Sequence, residues 1–321
     1  MKIFDGRADI LHDIALKRKL GYENIFEKFH SERFKKGEVM GGIFAAWLND
    51  SYKEEEWEKE MIYMITSSMF EINNNKNLFY IIKNKGDFEK GLKSEKFNVL
   101  LGVEGLKAIG KNLDWLDMLY NLGFRHATLT WNEKNLLASG AKSDEDTGLS
   151  PLGKEAVKKM NSLGMIVDVS HASEKTFWDI VNTTSKPIIA SHSNAKTLCN
   201  HVRNLSDEQI KAIANLNGVI GVVACNSFIN PVEDEADLNS FVDHIDYMVK
   251  IAGINHVGLG FDFCEYLPNP QGLPYPNPKN LNGASEAQNI IKGLEKRGYS
   301  QEEIEKIAYK NFMRVIDNIL Y

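Results

Sequence analysis

The sequence predicts a (β/α)8 TIM barrel with extra C-terminal helices, and three observations support this fold class. Eight short apolar runs alternate with segments of helical periodicity, and this alternation is typical of a parallel α/β sheet. Polar side chains that can carry chemistry follow five of these runs, at the strand ends where barrels keep their reactive residues. The chain has 321 residues, a length that α/β barrels reach as one domain. We therefore expect a single barrel domain over residues 1–321.

The eight predicted strands are short and rich in β-branched or other apolar residues, and turn residues or helical segments separate them. Most are apolar throughout, as expected for strands that are buried on both faces of a parallel sheet. They cover residues 2–5, 39–48, 97–103, 125–129, 165–169, 187–190, 218–223 and 256–260.

Helical segments follow most of these strands, and local signals indicate where several of them begin. Pro151 suits the first turn of a helix, Ser173 is a predicted N-cap, and Ser206 with Gln209 forms a predicted capping box. The predicted helices cover a charged segment up to about residue 37, residues 54–72, about 113–122, 152–163, 173–181, a segment from 206, 238–252, 284–298 and 301–320. Residues 266–282 are rich in Pro, Gly and Asn and form either a loop over the barrel mouth or a solvated linker.

Composition and charge exclude several classes of protein. The chain is 43% apolar and 26% charged, as ordinary globular proteins are, and its formal net charge of −6 argues against nucleic acid or an anionic membrane as partner. Neither a signal peptide nor a membrane span of roughly 18 apolar residues is visible, so we expect a cytoplasmic protein. Cys199, Cys225 and Cys264 have no CxxC spacing, which predicts reduced, structural thiols.

The stretch over residues 164–194 contains two strands that each end in Ser-His, with a short amphipathic helix between them. A strand, helix, strand sequence predicts a parallel pair, whose carboxyl ends lie on one face of the sheet. His171 and His192 should therefore be neighbours, although they are 21 residues apart in the sequence. The alternative is that both histidines only satisfy nearby backbone groups.

Three carboxylates occupy equivalent positions, because Asp9, Glu104 and Asp262 each follow a predicted strand. Glu104 comes after a fully apolar run, where a carboxylate is costly to bury unless a positive group meets it. Glu104, His171 and His192 together match the three ligands of a zinc ion that keeps a fourth position for water. A salt-bridged glutamate at the barrel rim is the alternative for Glu104.

The other two carboxylates and three further residues complete the candidate site. Asp9 is a candidate ligand of a second ion, and Asp262 is placed to act as general base or acid. Arg203 offers a planar fork that suits a substrate carboxylate, and Trp131 and Asn132 would shape the pocket. A surface role for Arg203 and rim packing for Trp131 remain open alternatives.

Several motifs spread over essentially the whole chain resemble the membrane (renal) dipeptidase family of zinc peptidases. The resemblance implies a barrel of the amidohydrolase type that cleaves dipeptides with a free carboxyl terminus at a two-zinc site, and it implies a homodimer. The motifs are DGRAD, GVEG, LTWN, DVSHASEKTFWDI, ASHSNAKTLCNHVRNLSDEQI, HVGLGFDF and NFMRVIDNI.

The same resemblance assigns roles to individual residues. Glu104 matches the bridging carboxylate, and His171 and His192 match the two ligands of one zinc ion. Asp9 matches a ligand of the other ion. The arginine that binds the substrate carboxylate corresponds to Arg203, and the catalytic acid or base corresponds to Asp262.

Two positions depart from the family pattern. Arg7 stands where the family's first motif, His-x-Asp, has its histidine, and a guanidinium cannot bind a metal ion. Our hypothesis is that Arg7 occupies or crowds the first metal position and pairs with Asp9 or Glu104, with His12 as a less favourable substitute ligand. Trp131 stands where characterised members have a histidine that contacts the substrate, although the indole N–H still offers a donor.

Three functions follow from this pattern. The first is a zinc dipeptidase with one or two ions per chain, in which a metal-activated water attacks the peptide carbonyl. The second is a catalytically inactive relative that binds a peptide or a metal. The third is a hydrolase of another amide that bears a carboxylate, which would agree with the retained Arg203 and the changed residue at Trp131.

Overall fold

The computed structural model describes residues 1–267 and 277–321. The strands in these residues are β1 (Ile3–Ala8), β2 (Val39–Trp47), β3 (Phe79–Ile81), β4 (Phe97–Glu104), β5 (Phe124–Thr128), β6 (Ile166–Asp168), β7 (Ile188–Ala190), β8 (Val219–Val222) and β9 (Val257–Leu259). The α-helices are α1 (Ile10–Lys19), α2 (Ile25–Phe29), α3 (Ser31–Lys36), α4 (Glu54–Asn74), α5 (Asp87–Leu92), α6 (Asp114–Leu122), α7 (Pro151–Leu163), α8 (Glu174–Thr183), α9 (Asp207–Asn215), α10 (Asn226–Ile229), α11 (Leu238–Ala252), α12 (Gln288–Lys296), α13 (Gln301–Glu305) and α14 (Asn311–Ile319).

The strands form one sheet in the order β1-β2-β4-β5-β6-β7-β8-β9, and β3 pairs with β4 outside this path. The last strand returns to the first through backbone contacts just beyond β9. The N–H of Phe261 donates to the Asp5 carboxylate at 2.8 Å, and the N–H of Asp262 donates to the carbonyl oxygen of Arg7 at 3.2 Å. The fold is a nearly closed parallel (β/α)8 barrel, which confirms the predicted fold class.

The chain divides into two compact units, and the first consists of residues 9–26, 43–189 and 316–321. It contains β3 to β6, whose paired strands are parallel. Helix α7 packs against β6 and α8, because its apolar stripe, which includes Val157 and Met160, is fully buried. This unit positions the carboxyl ends of β4, β5 and β6 side by side.

The second unit consists of residues 1–8, 27–42 and 190–315. It contains β1, β8 and β9 and buries Phe312 of α14, whose ring lies 5.8 Å from that of Phe4. Gly258 makes this packing possible, since a Cβ atom there would lie 2.7 Å from Phe312 Cε2. An alanine at this position would force the phenylalanine ring out of its place.

The helix starts that local signals predict are confirmed. The hydroxyl of Ser150 accepts the N–H of Gly153, with Pro151 in the first turn of α7. Ser173 caps α8 by accepting the N–H of Thr176. Ser206 and Gln209 form both bonds of a capping box at α9, so these helices begin where their own side chains satisfy the first free N–H groups.

The eight predicted strands are all present, and the differences concern short elements. Strand β3 was not predicted, although it lies within an apolar run over residues 78–82. The charged segment before β2 forms three short helices, and residues 301–320 are divided by a π-helical turn at Lys306–Lys310. Within the predicted loop at 266–282, residues 268–276 lie outside the described residues, so the choice between a cover and a linker stays open.

None of the described helices is long and apolar enough to cross a membrane. The cytoplasmic location and the single domain over residues 1–321 stay predictions.

Candidate metal centre and active site

Glu104 and His171 are in direct contact at the carboxyl ends of neighbouring elements. Glu104 is the last residue of β4, His171 follows β6, and both side chains are buried. The Nε2 atom of His171 lies 3.0 Å from Oε1 of Glu104. Two ligands that each lie about 2 Å from one zinc ion are separated by about 3 Å, so this pair has the spacing that a shared cation requires.

His192, the third predicted ligand, follows β7, and its side chain is buried. The Ser191 hydroxyl is 2.8 Å from Nδ1 of His192, which leaves Nε2 as the ring atom for a metal. Two imidazoles and one carboxylate are a donor set that fits zinc. The binding of one ion by all three residues stays a prediction.

The orientation of His171 is fixed by its surroundings. Its backbone is in the left-handed region with φ of 68°, and its carbonyl oxygen accepts the N–H of Ala141 at 2.8 Å. The side-chain oxygen of Asn132 lies 3.0 Å from Nδ1 of His171. Because that oxygen is an acceptor, Nδ1 can donate to it, and Nε2, the atom that faces Glu104, would then be the one to bind a metal ion.

Trp131 and Asn132 both lie beside His171, and their role as pocket residues stays a prediction. The indole of Trp131 is 6.0 Å from the imidazole of His171 and 5.2 Å from the indole of Trp47, measured between ring centroids. The Trp47 ring in turn lies 4.9 Å from that of His12. These rings form an aromatic wall next to the candidate ligand His171.

Arg7 forms an ion pair with Asp262. The Arg7 side chain is 1% exposed, and its Nε atom lies 3.6 Å from Oδ1 of Asp262, which is 26% exposed. Asp262 has a left-handed backbone with φ of 55°, an uncommon conformation for a residue other than glycine. The partner of Arg7 shown by this contact is Asp262, whereas the hypothesised pairing with Asp9 or Glu104 stays a prediction.

Asp9 is the predicted ligand of a second ion, and its side chain is buried. A metal ion beside Asp262 would be unfavourable, because the Arg7 guanidinium already provides a cation 3.6 Å from Asp262. The Nδ1 atom of His12 lies 2.8 Å from the carbonyl oxygen of Trp47. The roles of Asp9 and His12 as ligands stay predictions.

Asp5 lies next to the Arg7–Asp262 pair and has an unusual titration. Its carboxylate accepts the N–H groups of Arg7 at 3.1 Å and of Phe261 at 2.8 Å. Burial nevertheless raises the pKa of Asp5 to about 7, because desolvation of the charge outweighs these hydrogen bonds. A carboxyl group with a pKa of about 7 therefore contacts Phe261, the residue before Asp262.

Arg203 is buried in the loop that follows β7. Its guanidinium carbon lies 5.6 Å from the ring of Phe228, and that ring stacks on His201 at 4.3 Å. The side-chain amide of Asn204 ties the loop down by donating to the carbonyl oxygens of Cys199 and Phe228, both at 2.8 Å. Phe228 gave no signal in the sequence, because it is one of many aromatic residues outside any predicted strand end.

Comparison with known proteins identifies the family. The profile of the family described as membrane dipeptidase (peptidase family M19) matches residues 1–320. The chain belongs to the membrane dipeptidase family. Its relatives include an uncharacterized dipeptidase of Schizosaccharomyces pombe, which is 39% identical over 226 residues that cover 68% of this chain and 52% of that protein. A dipeptidase of Claviceps purpurea is 34% identical over 235 residues, covering 73% of this chain and 53% of that protein.

The chain thus spans about half the length of these two relatives. Among solved structures, a metallopeptidase of Rhodobacter sphaeroides, liganded with a phosphinate mimic of the dipeptide L-Ala-D-Ala, superposes with a TM-score of 0.89. It is 20% identical, and the match covers 99% of each chain. That likeness confirms the fold, and membership of the membrane dipeptidase family implies a metal cofactor.

The thiol of Cys264 is 3.3 Å from the carbonyl oxygen of Asp262, and the structural role of Cys264 stays a prediction. One feature of this family member was not predicted from its sequence. His126 and Asp168 form a fully buried pair at 2.8 Å between β5 and β6. A polar residue inside an apolar strand was the available signal for both members of this pair.

Proposed function

We propose that this chain is a dipeptidase that hydrolyses its substrate with one zinc ion held by Glu104, His171 and His192. The observation that carries the proposal is the contact between the buried Glu104 carboxylate and the buried His171 imidazole at 3.0 Å. His192, also buried, follows β7 and would be the third ligand. Carboxylate and imidazole are the zinc ligands of three-ligand hydrolytic sites.

A bound zinc ion would supply Lewis acidity, which polarises the peptide carbonyl group and lowers the pKa of water. The residues of the chain would hold and orient this chemistry. Asn132 fixes the His171 ring through its 3.0 Å contact with Nδ1, so that Nε2 faces the Glu104 carboxylate. Glu104 contributes the negative charge that the ion needs in a buried setting.

Asp262 is the residue that we propose to move the proton. It follows β9 at a strand end, and the guanidinium of Arg7 at 3.6 Å gives it a fixed counter-charge. Arg7 would thereby replace part of the positive charge that a second ion supplies in a two-metal site. This arrangement supports the single-zinc form of the proposal over the two-zinc form.

The proposed substrate is a dipeptide with a free C-terminal carboxylate. Arg203 is buried in the loop after β7, and its guanidinium fork suits such a carboxylate. The peptide-like phosphinate in the Rhodobacter sphaeroides enzyme supports the same class of substrate and provides a probe. The proposal includes a homodimer, which the family resemblance implies.

The test combines metal analysis with a substrate panel. Zinc per chain is measured by elemental analysis after reconstitution and removal of loose metal, and a broad panel of L,L- and L,D-dipeptides is assayed with the same sample. About one zinc with hydrolysis would support the proposal. About two zincs with hydrolysis would retain the dipeptidase and refute the single-zinc site.

An inactive relative is the second candidate, and the Arg7–Asp262 ion pair favours it. An aspartate held by a buried arginine is less available for proton transfer than one that faces only water. A zinc-loaded chain that binds dipeptides or the phosphinate mimic without cleaving any member of the panel would establish this candidate. Cleavage of another carboxylate-bearing amide, with no dipeptide cleaved, would establish the third function.

A further inference from the structure

We propose that His126 and Asp168 are positioning residues that hold the candidate metal ligand His171 in its binding orientation. The proposal rests on the proposed function only in taking His171 as a zinc ligand. His126 lies in β5 and Asp168 ends β6, and both side chains are fully buried. Nε2 of His126 lies 2.8 Å from Oδ2 of Asp168, so the imidazole donates to the carboxylate.

Asp168 connects this pair to the turn that carries His171. Its other oxygen, Oδ1, accepts the N–H of Ser170 at 2.8 Å, a contact typical of an Asx turn. The N–H of Ala172 then donates to the carbonyl oxygen of Val169 at 3.0 Å, which closes a turn around Ser170 and His171. Oδ1 of Asp168 therefore stabilises the turn, and Oδ2 accepts from His126.

The turn needs this support because His171 is strained. Its φ of 68° is a left-handed value that is unfavourable for a residue other than glycine. Such a conformation persists only where the surroundings fix it. If Asp168 could rotate freely, the N–H of Ser170 would lose its acceptor and the turn could relax. His126 removes this freedom by holding Oδ2.

The sheet is built to accommodate His126. The register of β4 and β5 shifts between Leu101 and Gly102, so that Gly102 pairs with His126 and Glu104 pairs with Thr128. Paired residues of parallel strands point to the same face, as do residues two apart. His126 therefore shares a face with Glu104, and a bulge of this kind often accompanies a functional site.

Gly102 supplies the space that the imidazole occupies. A Cβ atom on Gly102 would lie 2.4 Å from Nδ1 of His126, a distance that side chains do not tolerate. Nδ1 of His126 makes no hydrogen bond with the described residues, so the ring serves one polar contact only. Three groups thus hold the turn after β6 in place: Gly102 of β4 makes room for the imidazole of β5, and that imidazole holds the carboxylate of β6.

The test compares His126→Leu, which removes the donor, with His126→Gln, whose side-chain amide can still reach Asp168. Zinc affinity is measured by competition with a chelator, and the visible absorption spectrum of the cobalt-substituted protein reports the ligand geometry. We expect His126→Leu to bind zinc about 10–100-fold more weakly, the usual loss for a residue that orients a ligand, and to change the cobalt bands. His126→Gln should restore most of the affinity and the parental spectrum.

A merely structural role would lower the melting temperature of His126→Leu and leave its zinc affinity and cobalt spectrum unchanged, and this result would overturn the proposal. If His126→Leu does not fold, Gly102→Ala provides the second variant, because it crowds the imidazole without removing a polar group. It should also weaken zinc binding, and parental affinity in folded Gly102→Ala would overturn the proposal. A parent that binds zinc but cleaves no dipeptide refutes the proposed function alone, whereas a parent without zinc affinity refutes both.

Discussion

Two ion pairs at strand ends, one buried and one partly exposed, differ in the source of their positive charge. The Glu104–His171 pair combines a carboxylate with an imidazole at 3.0 Å, and an external cation can bind to both. The Arg7–Asp262 pair combines a carboxylate with a guanidinium at 3.6 Å, and the cation is part of the chain. The first pair is therefore suited to a metal ion, and the second is suited to replace one.

The two pairs also have a property in common. His171 and Asp262 both have left-handed backbones, with φ of 68° and 55°, although neither is a glycine. Strain of this kind is concentrated at functional sites, where the surrounding structure fixes it. Both strand ends therefore fix the direction of a side chain. They differ in whether the positive charge beside that side chain comes from the chain itself or from outside it.

The first pair is broken by Glu104→Gln, for which we expect the largest effect. The neutral amide keeps the size of the side chain but removes the charge that the metal ion needs, so zinc should be lost. Losing several kcal/mol of charge stabilisation corresponds to about a thousandfold loss in kcat/KM. His256→Ala is the control. The Nδ1 atom of His256 contacts the backbone carbonyl oxygen of Gly218, and His256 belongs to neither of the two pairs. Parental zinc content and rate in Glu104→Gln would show that zinc does not bind there.

The second pair is broken by Arg7→His, which removes the internal cation. Removing one partner of a fully buried ion pair costs about 3–5 kcal/mol, and the 26% exposure of Asp262 reduces this cost. The zinc-free variant should still unfold at a lower denaturant concentration than the parent. Added zinc should restore stability more in Arg7→His than in the parent, because the imidazole can bind the ion that the guanidinium excludes.

Arg7→Lys is the matched control for this change, since it keeps the positive charge and should gain no zinc. Elemental analysis of all three proteins gives the stoichiometry directly. If chelator-treated Arg7→His were as stable as the parent and gained no metal, the view of Arg7 as a built-in replacement for an ion would be wrong.

Asp5 provides a smaller test of the second pair, because its carboxylate accepts the N–H groups of Arg7 and Phe261. Its folded pKa of about 7 is above the ordinary value of 3.8. The folded state therefore holds a proton that the unfolded state releases, and stability falls as pH rises from about 4 to about 7. Arg33 and Glu265 also act on this group, the first lowering and the second raising its pKa.

Asp5→Asn should remove this dependence, since the amide keeps an acceptor and carries no charge. At pH 8 the variant should be more stable than the parent by up to about 4 kcal/mol, and the difference should shrink towards pH 4. Urea unfolding at both pH values measures it. A difference that does not change with pH would show that Asp5 is already ionised in the folded protein at low pH.

The fold and the residues at the strand ends could be predicted from the sequence for a physical reason. Parallel strands buried on both faces appear as apolar runs, and Glu104, His171 and His192 follow such runs directly. The proximity of Glu104 and His171 follows from topology, because the carboxyl ends of parallel strands meet on one face. No distance had to be known for this part of the prediction.

The partners of these residues depend on register and rotamer, which a sequence pattern does not contain. The pairing of His126 with Gly102 follows from the register shift between Leu101 and Gly102, and a single extra residue in a strand gives no sign in composition. The contact of Arg7 with Asp262 joins residues at opposite ends of the chain.

Asn132→Ala gives the smallest expected effect and tests the first pair through the orientation of His171. The alanine removes the oxygen that lies 3.0 Å from Nδ1 of His171, while Glu104, His171 and His192 all remain. We expect zinc to bind about tenfold more weakly, near the lower limit for loss of a residue that orients a ligand, because the backbone of His171 stays fixed by its own hydrogen bonds. Asn132→Asp keeps an acceptor at this position and should bind zinc at least as tightly as the parent. Equal affinities for the alanine variant, the aspartate variant and the parent would mean that the turn alone aims the imidazole.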